Sequence, residues 1–506
     1  MSLDSSLSVA TTSLANINFG FSVISQNIAN ANNAGYATEN TTAESLDAGG
    51  IGFGVRNGPT QLASNAALAA VLYGQNAESG GTAVTNAALT QLQPMLGTVG
   101  QGNDLGSLLG NVQTAFSALL NDPSDQTQQA AVVSAAQSLT QGINAVSGAY
   151  AQTRQEAQDN LVSSVSQLNS LLGQVGSISS QIVSLKASGG DTADLENQRN
   201  GLLTSISGLA DTRFAEQPNG DMLVFTAGGA QLPTHTPDPL SIAAATTGPT
   251  TFYPGGGLPG IMLGATDITS QITGGSIGAN LTLRDSTIPT YQGELDEFSQ
   301  NLAGRFDAQG LTLFSDGQGN VPASGGTPAQ ANYIGFASAI TVNPAVVANP
   351  ALVRDGTHAV AGSATGASAF TPNPNNLAGF TDMINRVLNF SLGSQVQAGV
   401  TQPVSTTTGL GPAGNLAAPF SAPATLGDFT TDITGSQSAD AGDAASAASE
   451  TAATQSAFSN QLTSSVGVDM DTQMSMMVQL QNAYGANAKI ISAVQSMYST
   501  LLQAIQ

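Results

Sequence analysis

At the N-terminal end, Leu3, Leu7, Ala10, Leu14, Ile17, Phe21, Ile24 and Ile28 follow one another in alternating steps of four and three. Such steps average about 3.5 residues, the period of helices that wind around a partner. A second ladder with the same period runs through Met470, Met474, Met477, Gln481, Tyr484, Ala488, Ile491, Gln495, Tyr498, Leu502 and Ile505. Its two glutamines interrupt it without erasing it. A helix with one narrow apolar stripe must bury that stripe, either in a core of its own chain or against other copies. Neither segment has the charged i,i+4 pairs that support an exposed helix, which favours packing against other copies.

Between the ends, Asn103-Asp104 offers a helix cap ahead of Leu105, Leu108, Leu109, Val112, Phe116, Leu119 and Leu120, and Asn121-Asp122-Pro123 closes that run. Two further helices are predicted over Val132–Tyr150 and Leu161–Leu185. Gly189-Gly190 marks a stop, and Asp191 or Thr192 a cap for a helix through Leu195, Leu203 and Leu209. Beyond Asp211, Met222–Thr226 and Ile261–Leu263 read as short strands among Gly and Pro. A helix returns near Pro289–Phe306. Residues 313–430 read as β-rich with long loops, including a strand at Ala339–Val342 and a helix over Thr381–Phe390, and Gly435–Ser459 reads as a helix leading back.

The fold class expected is α+β, mainly α: long terminal helices in coiled-coil-like packing, a helical bundle, and β-rich outer parts inserted in the middle. Residues 1–40 are assigned with 466–506 to the paired ends. Residues 41–212, 276–312 and 436–465 are assigned to the bundle, and 213–275 and 313–435 to the outer region.

Composition narrows the function. The 506 residues suffice for several domains, and 41% of them are hydrophobic. Only 8% are charged and the net charge is −23, which argues against a nucleic-acid partner. The absence of cysteine excludes disulfides and thiolate chemistry. His235 and His358 have no HExxH setting, and Asp355, three residues before His358, lacks a nucleophile and an orienting group. Gly255–Gly260 satisfies GxGxxG by letters, but Pro254 and Pro259 make it a loop. Asp316–Asn320 resembles a calcium loop, but Thr327 stands where the bidentate Glu is required. No catalytic, cofactor or metal site is expected. Nor is membrane insertion, because no segment is read as reaching the ~20 apolar residues of a bilayer span. Met1-Ser2-Leu3-Asp4 lacks the basic start of a secretory signal.

Ser25–Ala37, containing Asn27, Asn30, Asn32, Gly35 and Tyr36, resembles the N-terminal signature of the flagellar rod, hook and hook-associated proteins. Asn and Gly suit the end of a helix there, since both tolerate left-handed backbone and Asn amides can bond freed carbonyls. Asn33-Ala34 replaces the family's common Thr-Pro, and Ala37-Thr38 its Ser-Arg. Ser465–Met474 and Gln479–Ala488 are similar to the family's closing motif, with Thr472 and Gln473 in place of glutamates. Asn121–Asp125, Asp194–Asn200, Gly274–Gly278, Leu283–Asp285 and Ile288–Gln292 resemble stretches of the hook-associated members.

The resemblance implies a non-enzymatic structural subunit of the bacterial flagellum, at the junction of hook and filament. It would assemble through Leu3, Leu7, Leu14, Ile17, Phe21, Ile24, Ile28, Met474, Met477, Tyr484, Ala488, Ile491, Tyr498, Leu502 and Ile505. Implied partners are copies of itself, the hook protein and a hook-associated neighbour on the filament side. The flagellar export apparatus would deliver it outside the cell without a cleaved signal, after an export chaperone had held its C-terminal helix. A hook or distal-rod subunit is the alternative within the family, and an enzyme carried on flagellar-like ends the alternative outside it.

Overall fold

The computed structural model describes residues 3–33, 35–48, 51–97, 102–235, 238–362 and 368–505. The chain begins with α1 (Leu3–Asn30), then β1 (Glu39–Asn40), β2 (Ala43–Ala48), β3 (Ile51–Asn57) and β4 (Gln61–Leu62). The helices α2 (Ala66–Leu96), α3 (Leu105–Asn121), α4 (Gln126–Ser188) and α5 (Ala193–Leu209) follow. β5 (Thr212–Glu216), β6 (Met222–Thr226) and β7 (Gln231–Leu232) form one antiparallel sheet, and β8 (Leu240–Ser241), β9 (Met262–Leu263) and β10 (Thr266–Asp267) another. Next come α6 (Gly275–Thr282), a π-turn over Leu283–Thr287, and α7 (Ile288–Asp307). The stretch after α7 holds β11 (Phe314–Ser315), α8 (Phe336–Ala339), β12 (Thr341–Val342), α9 (Pro344–Ala348), α10 (Leu352–Asp355), α11 (Asp382–Arg386), β13 (Thr408–Leu410) and β14 (Leu416–Ala417). Two long helices close the chain, α12 (Leu426–Val466) and α13 (Met470–Ile505).

The two helices expected over Val132–Leu185 are one helix of 63 residues, α4, about 95 Å long at 1.5 Å per residue. Its first half packs Leu139 and Ile143 into a core with Phe116, Phe298, Phe306, Phe314 and Phe429. Its second half packs Leu161, Val165, Leu168 and Leu172 against Ile206, Val224, Ile261 and Ile277. The polar stretch between them reads as a break but works as a strap. Arg154 is almost fully buried and donates from Nε to the Arg284 carbonyl (2.9 Å), and from its Nη atoms to those of Gly248 (3.0 Å) and Thr251 (2.7 Å). Gln155 and Gln158 donate to the Ala245 and Ala243 carbonyls at 3.1 Å. The long loop before β9 is thus tied to α4 by side chains that a pattern search scores as non-helical.

Helix α2, unmarked by the sequence pattern, runs antiparallel to α12, with Asn65 opposite Ser465, Asn76 opposite Gln455 and Thr82 opposite Thr451. Gly80 lets it lie on α5: a Cβ there would stand 2.5 Å from the Gly208 carbonyl oxygen. Helix α12 begins at Leu426, nine residues before the expected Gly435, behind a capping box made by Thr425 and Asp428. Among the described residues of 313–435 the strands are two- and three-residue pairs, β11 with β12 and β13 with β14, among short helices and irregular chain. That narrows the β-rich reading of this stretch to small ladders. Ala339, expected in a strand, ends α8.

The membrane expectation also needs correction at one point. Helix α1 is long and apolar enough, by length and hydropathy, to cross a bilayer. Its serines, threonines and asparagines, spaced through the sequence, kept it from reading as a continuous apolar run.

Candidate functional site

Helices α1 and α13 lie antiparallel and meet at a fixed interval. The Asn27 Nδ2 donates to Gln473 Oε1 (3.2 Å), Gly20 faces Leu480, the Asn487 Nδ2 donates to Ser13 Oγ (3.0 Å), and the Tyr498 hydroxyl bonds the Asp4 carboxylate. From Asn27 to Gly20 to Ser13, and from Gln473 to Leu480 to Asn487, each step is seven residues. This is the register of a coiled coil. Gly20 permits the close approach, since a Cβ there would lie 2.9 Å from Leu480 Cδ1.

The ladder residues do not share one fate. In α1, Ile17 and Ile24 are buried, and Leu3, Leu7, Leu14, Phe21 and Ile28 half-buried. In α13, Met477, Ala488, Ile491 and Tyr498 are half-buried, whereas Met474 (50%), Tyr484 (44%) and Leu502 (64%) are exposed. The Ile505 side chain lies outside the described residues. The face of α13 turned to α1 runs instead through Gln473, Leu480, Asn487 and Val494. Exposed apolar side chains flank that face on both sides, Met470 and Met474 along one and Ile490 and Met497 along the other, while exposed Leu501 lies one heptad beyond Val494.

The β2–β3 hairpin, which the sequence pattern did not mark, covers a further face of α1. Ser8 Oγ donates to the Phe53 carbonyl and the Val55 N–H to Thr12 Oγ1, both at 3.4 Å. Gly54 has φ +134°, and a Cβ on it would run into Thr12. The only hint in the sequence was its glycine pattern, Gly52-Phe53-Gly54, too weak to predict a ribbon.

At the inner end, the asparagine-rich turn is a polar junction. Asn27 is 1% exposed. Its Nδ2 donates to the Glu39 carbonyl (2.9 Å), and its Oδ1 accepts from the Glu39 N–H (3.0 Å) and the Tyr36 hydroxyl (3.1 Å). Asn30 Nδ2 donates to the Gln26 carbonyl (3.1 Å), and Asn33 donates to Asn30 Oδ1 (2.6 Å). Gly35 takes φ +82°, the left-handed turn its residue type allows, and Asn32 is exposed beside it. Thr38 donates its N–H to the Val466 carbonyl (2.8 Å) and its hydroxyl to that of Gly467 (2.6 Å), fastening the α12–α13 link. Burial, reinforced by the nearby Asp194 carboxylate, raises the Glu39 carboxyl to about 7, and burial together with Glu39 raises the Tyr36 phenol.

Elsewhere, polar groups serve structure. His235 pairs with Asp221 (2.7 Å), and His358 Nδ1 faces the hydroxyls of Thr357 and Thr312. The Asp316 carboxylate accepts from the Gln318 and Asn320 N–H groups, closing a tight turn. Among the described residues no cluster of three or more His, Cys, Asp or Glu is placed to hold a metal. A groove of about 880 Å³ between α2, α6 and α12 is lined mainly by small residues, with Tyr253, Tyr291, Glu78 and Asp440 at its edges.

Residues 89–320 match the family model of the flagellar hook-associated protein FlgK helical domain, and residues 460–504 that of the flagellar basal body rod FlgEFG protein C-terminal segment. The flagellar hook-associated protein 1 of Bacillus subtilis is 23% identical over 235 residues, 44% of this chain and 46% of that protein. The chain thus spans under half the length of this curated relative. The solved flagellar hook junction protein of Burkholderia pseudomallei is 23% identical, with a TM-score of 0.43 over 50% of this chain and 47% of that one.

Proposed function

We propose that this chain, whose residues 89–320 match the helical domain of the flagellar hook-associated proteins and residues 460–504 the C-terminal segment of the flagellar rod proteins, is a structural subunit of the junction between hook and filament. The observation that carries the reading is the terminal pair. It is a formed coiled coil whose 28 and 36 residues hold only Asp4, Asp471 and Lys489 as charges, with apolar side chains exposed on both flanks of α13.

Such a pair is unfinished as a free object. Met474 and Tyr484 on one side, and Ile490 and Met497 on the other, need two further surfaces, as a helix in the wall of a tube has. At ~25 cal/mol per Å², covering a strip of a few hundred Å² supplies several kcal/mol per subunit. The partners on this reading are further copies, the hook protein, and a hook-associated neighbour on the filament side. A chaperone could cover the same flanks of α13 before export. The protein then acts outside the cell and by assembly, without catalysis. The C-terminal match alone would suit a rod or hook subunit equally; the helical-domain match over 89–320 favours the junction.

The test is deletion of the gene. Intact hooks without filaments, with flagellin spilled into the medium, are expected. Cells lacking hooks would move the subunit into the rod or hook, and normal filaments would remove the structural role.

A further inference from the structure

The start of α5 contributes nothing to the two cores at its polar positions, yet its side chains reach the turn that follows α1. Asn197 accepts the Ala37 N–H on Oδ1 (2.9 Å) and donates from Nδ2 to the Ala37 carbonyl (3.1 Å) and to Glu39 Oε1 (3.2 Å). One side chain thus occupies both backbone groups of one residue, as a neighbouring strand would. Two turns of chain away, the Asp191 carboxylate takes the Thr60 hydroxyl. Ala37 and Thr60 stand on the two legs that leave and re-enter the terminal region, and those legs are joined to each other by β1 with β4 and by the Ala63 N–H on the Thr38 carbonyl (2.8 Å). Asp194, also on α5, faces the Glu39 carboxyl, and Tyr36 and Asn27 face it from the turn and from α1.

The same short helix start is anchored from behind. Arg199 is 2% exposed; it donates to the Gly220 carbonyl (2.7 Å) and to Glu216 (3.0 Å), while Lys186 reaches Glu196 (3.3 Å) and Glu216 (2.9 Å). Asn197 is therefore backed by α4, β5 and the β5–β6 turn, and it grips a segment that moves with α1 and, through Thr38, with the α12–α13 link.

We propose that the segment Asp191–Arg199 is the fastener that sets the direction of the terminal coiled coil against the body, with Asn197 as its positioning residue. An apolar contact at this place could slide, because burial is indifferent to small rotations. A side-chain amide bonded to both an N–H and a C=O fixes position and orientation together. A subunit that must fit a ring at its inner helices and a neighbour at its outer body needs that angle held. The proposal rests on the assembly reading for its purpose but not for its geometry.

The absence of cysteine makes the test clean. Spin labels on Ser22→Cys in α1 and Ser117→Cys in α3, both exposed positions, report the angle in the full chain. A narrow distance distribution is expected in the parent. Asn197→Ala should widen it by about twofold or more, as release of a hinge does, with the melting of the body unchanged. Asn197→Asp keeps the acceptor for the Ala37 N–H and should fall between. A distribution already broad in the parent, or one unmoved by Asn197→Ala, overturns the proposal. If Asn197→Ala unfolds the body, Thr60→Val, which removes only the Asp191 contact, decides by the same reading: widening supports the fastener and an unchanged distribution overturns it. Complementation of the gene deletion is read separately. A widened distribution in a strain whose filaments never depended on this chain leaves the fastener standing and removes the junction role.

Discussion

Helix α7 is 20 residues long and nearly all of it is buried; α13 is 36 residues long, and of its described side chains only Gln473 and Val494 are buried. The contrast extends to chemistry. Helix α7 takes Glu294, Asp296, Glu297 and Arg305 into the interior, and each finds at least one partner within the chain, with Glu294 Oε1 and Arg305 Nε alone left unbonded among their buried atoms. Asp296 accepts from the Gly335 (2.7 Å) and Ala337 (2.9 Å) N–H groups, Glu297 from the Tyr333 hydroxyl (2.5 Å) and the Thr406 N–H (2.7 Å), and Glu294 from Gln437 (3.0 Å). Helix α13 has almost no charge and leaves methionines, isoleucine and leucine in solvent. Buried polar groups with satisfied partners specify one arrangement from within, whereas exposed apolar flanks wait for an arrangement supplied from outside. The body covers its own apolar surface, whereas the terminal pair, though in register within the chain, leaves its outer flanks uncovered.

The widest separation of the two regions is expected from a charge placed on the terminal stripe. Ile491→Asp or Leu14→Asp should abolish incorporation into the assembled structure, scored by electron microscopy of complemented cells, and leave the melting temperature of the body unchanged. Normal assembly of either variant would sink the role given to these helices. Next in size is Phe298→Ala in α7, which removes a fully buried ring packed 5.8 Å from Phe429. It should cost about 3–5 kcal/mol in denaturant unfolding, whereas Leu502→Ala should stay within about 0.5 kcal/mol in the same measurement.

Protonation divides the regions too. Burial pushes Glu294 up to about 8 and Asp296 up to about 7. A carboxyl raised in the fold is stabilised as the neutral acid. Its contribution is complete below the unfolded carboxylate value and is lost as pH climbs towards the folded value. Stability of the body should therefore fall by a few kcal/mol between about pH 5 and pH 8, and Glu294→Gln should flatten that slope. A slope unchanged in the variant would show that Glu294 is ionised in the fold.

The smallest effects set two glycines against each other. At Gly80 a methyl group would strike the Gly208 backbone oxygen, which cannot swing away, so Gly80→Ala should destabilise by about 1–3 kcal/mol. At Gly20 the obstacle is the tip of Leu480, a flexible side chain. Gly20→Ala should come within about 0.5 kcal/mol of the parent, because helix propensity gained offsets the adjustment. A large loss at Gly20 would mean the terminal pair is packed as tightly as the body.

How much of this could be read from the chain varied with what each element buries. The two terminal helices and α3, with its Asp104 cap, showed because their apolar positions recur at one period. Helix α4 showed as two helices, since Arg154, Gln155 and Gln158 face a loop distant in sequence. Helix α2 stayed hidden behind Gly74, Gly80 and Gly81, which read locally as breaks, although Gly80 and Gly81 mark close approach to α5 and α6. At the candidate site, the asparagine turn was legible from residue type. Which face of α13 meets α1 was not, because Gln473 and Asn487 are polar and a hydrophobic pattern passes over them. The fastener at Asn197 was visible only as a motif without a task, its partner Ala37 lying 160 residues earlier.

The antiparallel register of α1 and α13 also imposes an order in time. Contacts within the terminal pair join residues separated by 446, 474 and 494 positions. Helix α1 is made before its mate, so the stripe through Leu7, Leu14 and Phe21 must stay without that mate while the body between them is translated. Every strand and helix of the body can close before the two ends can meet, since long loops are the slowest to close. The coiled coil closes after the body and, with few buried residues for its length, opens before it.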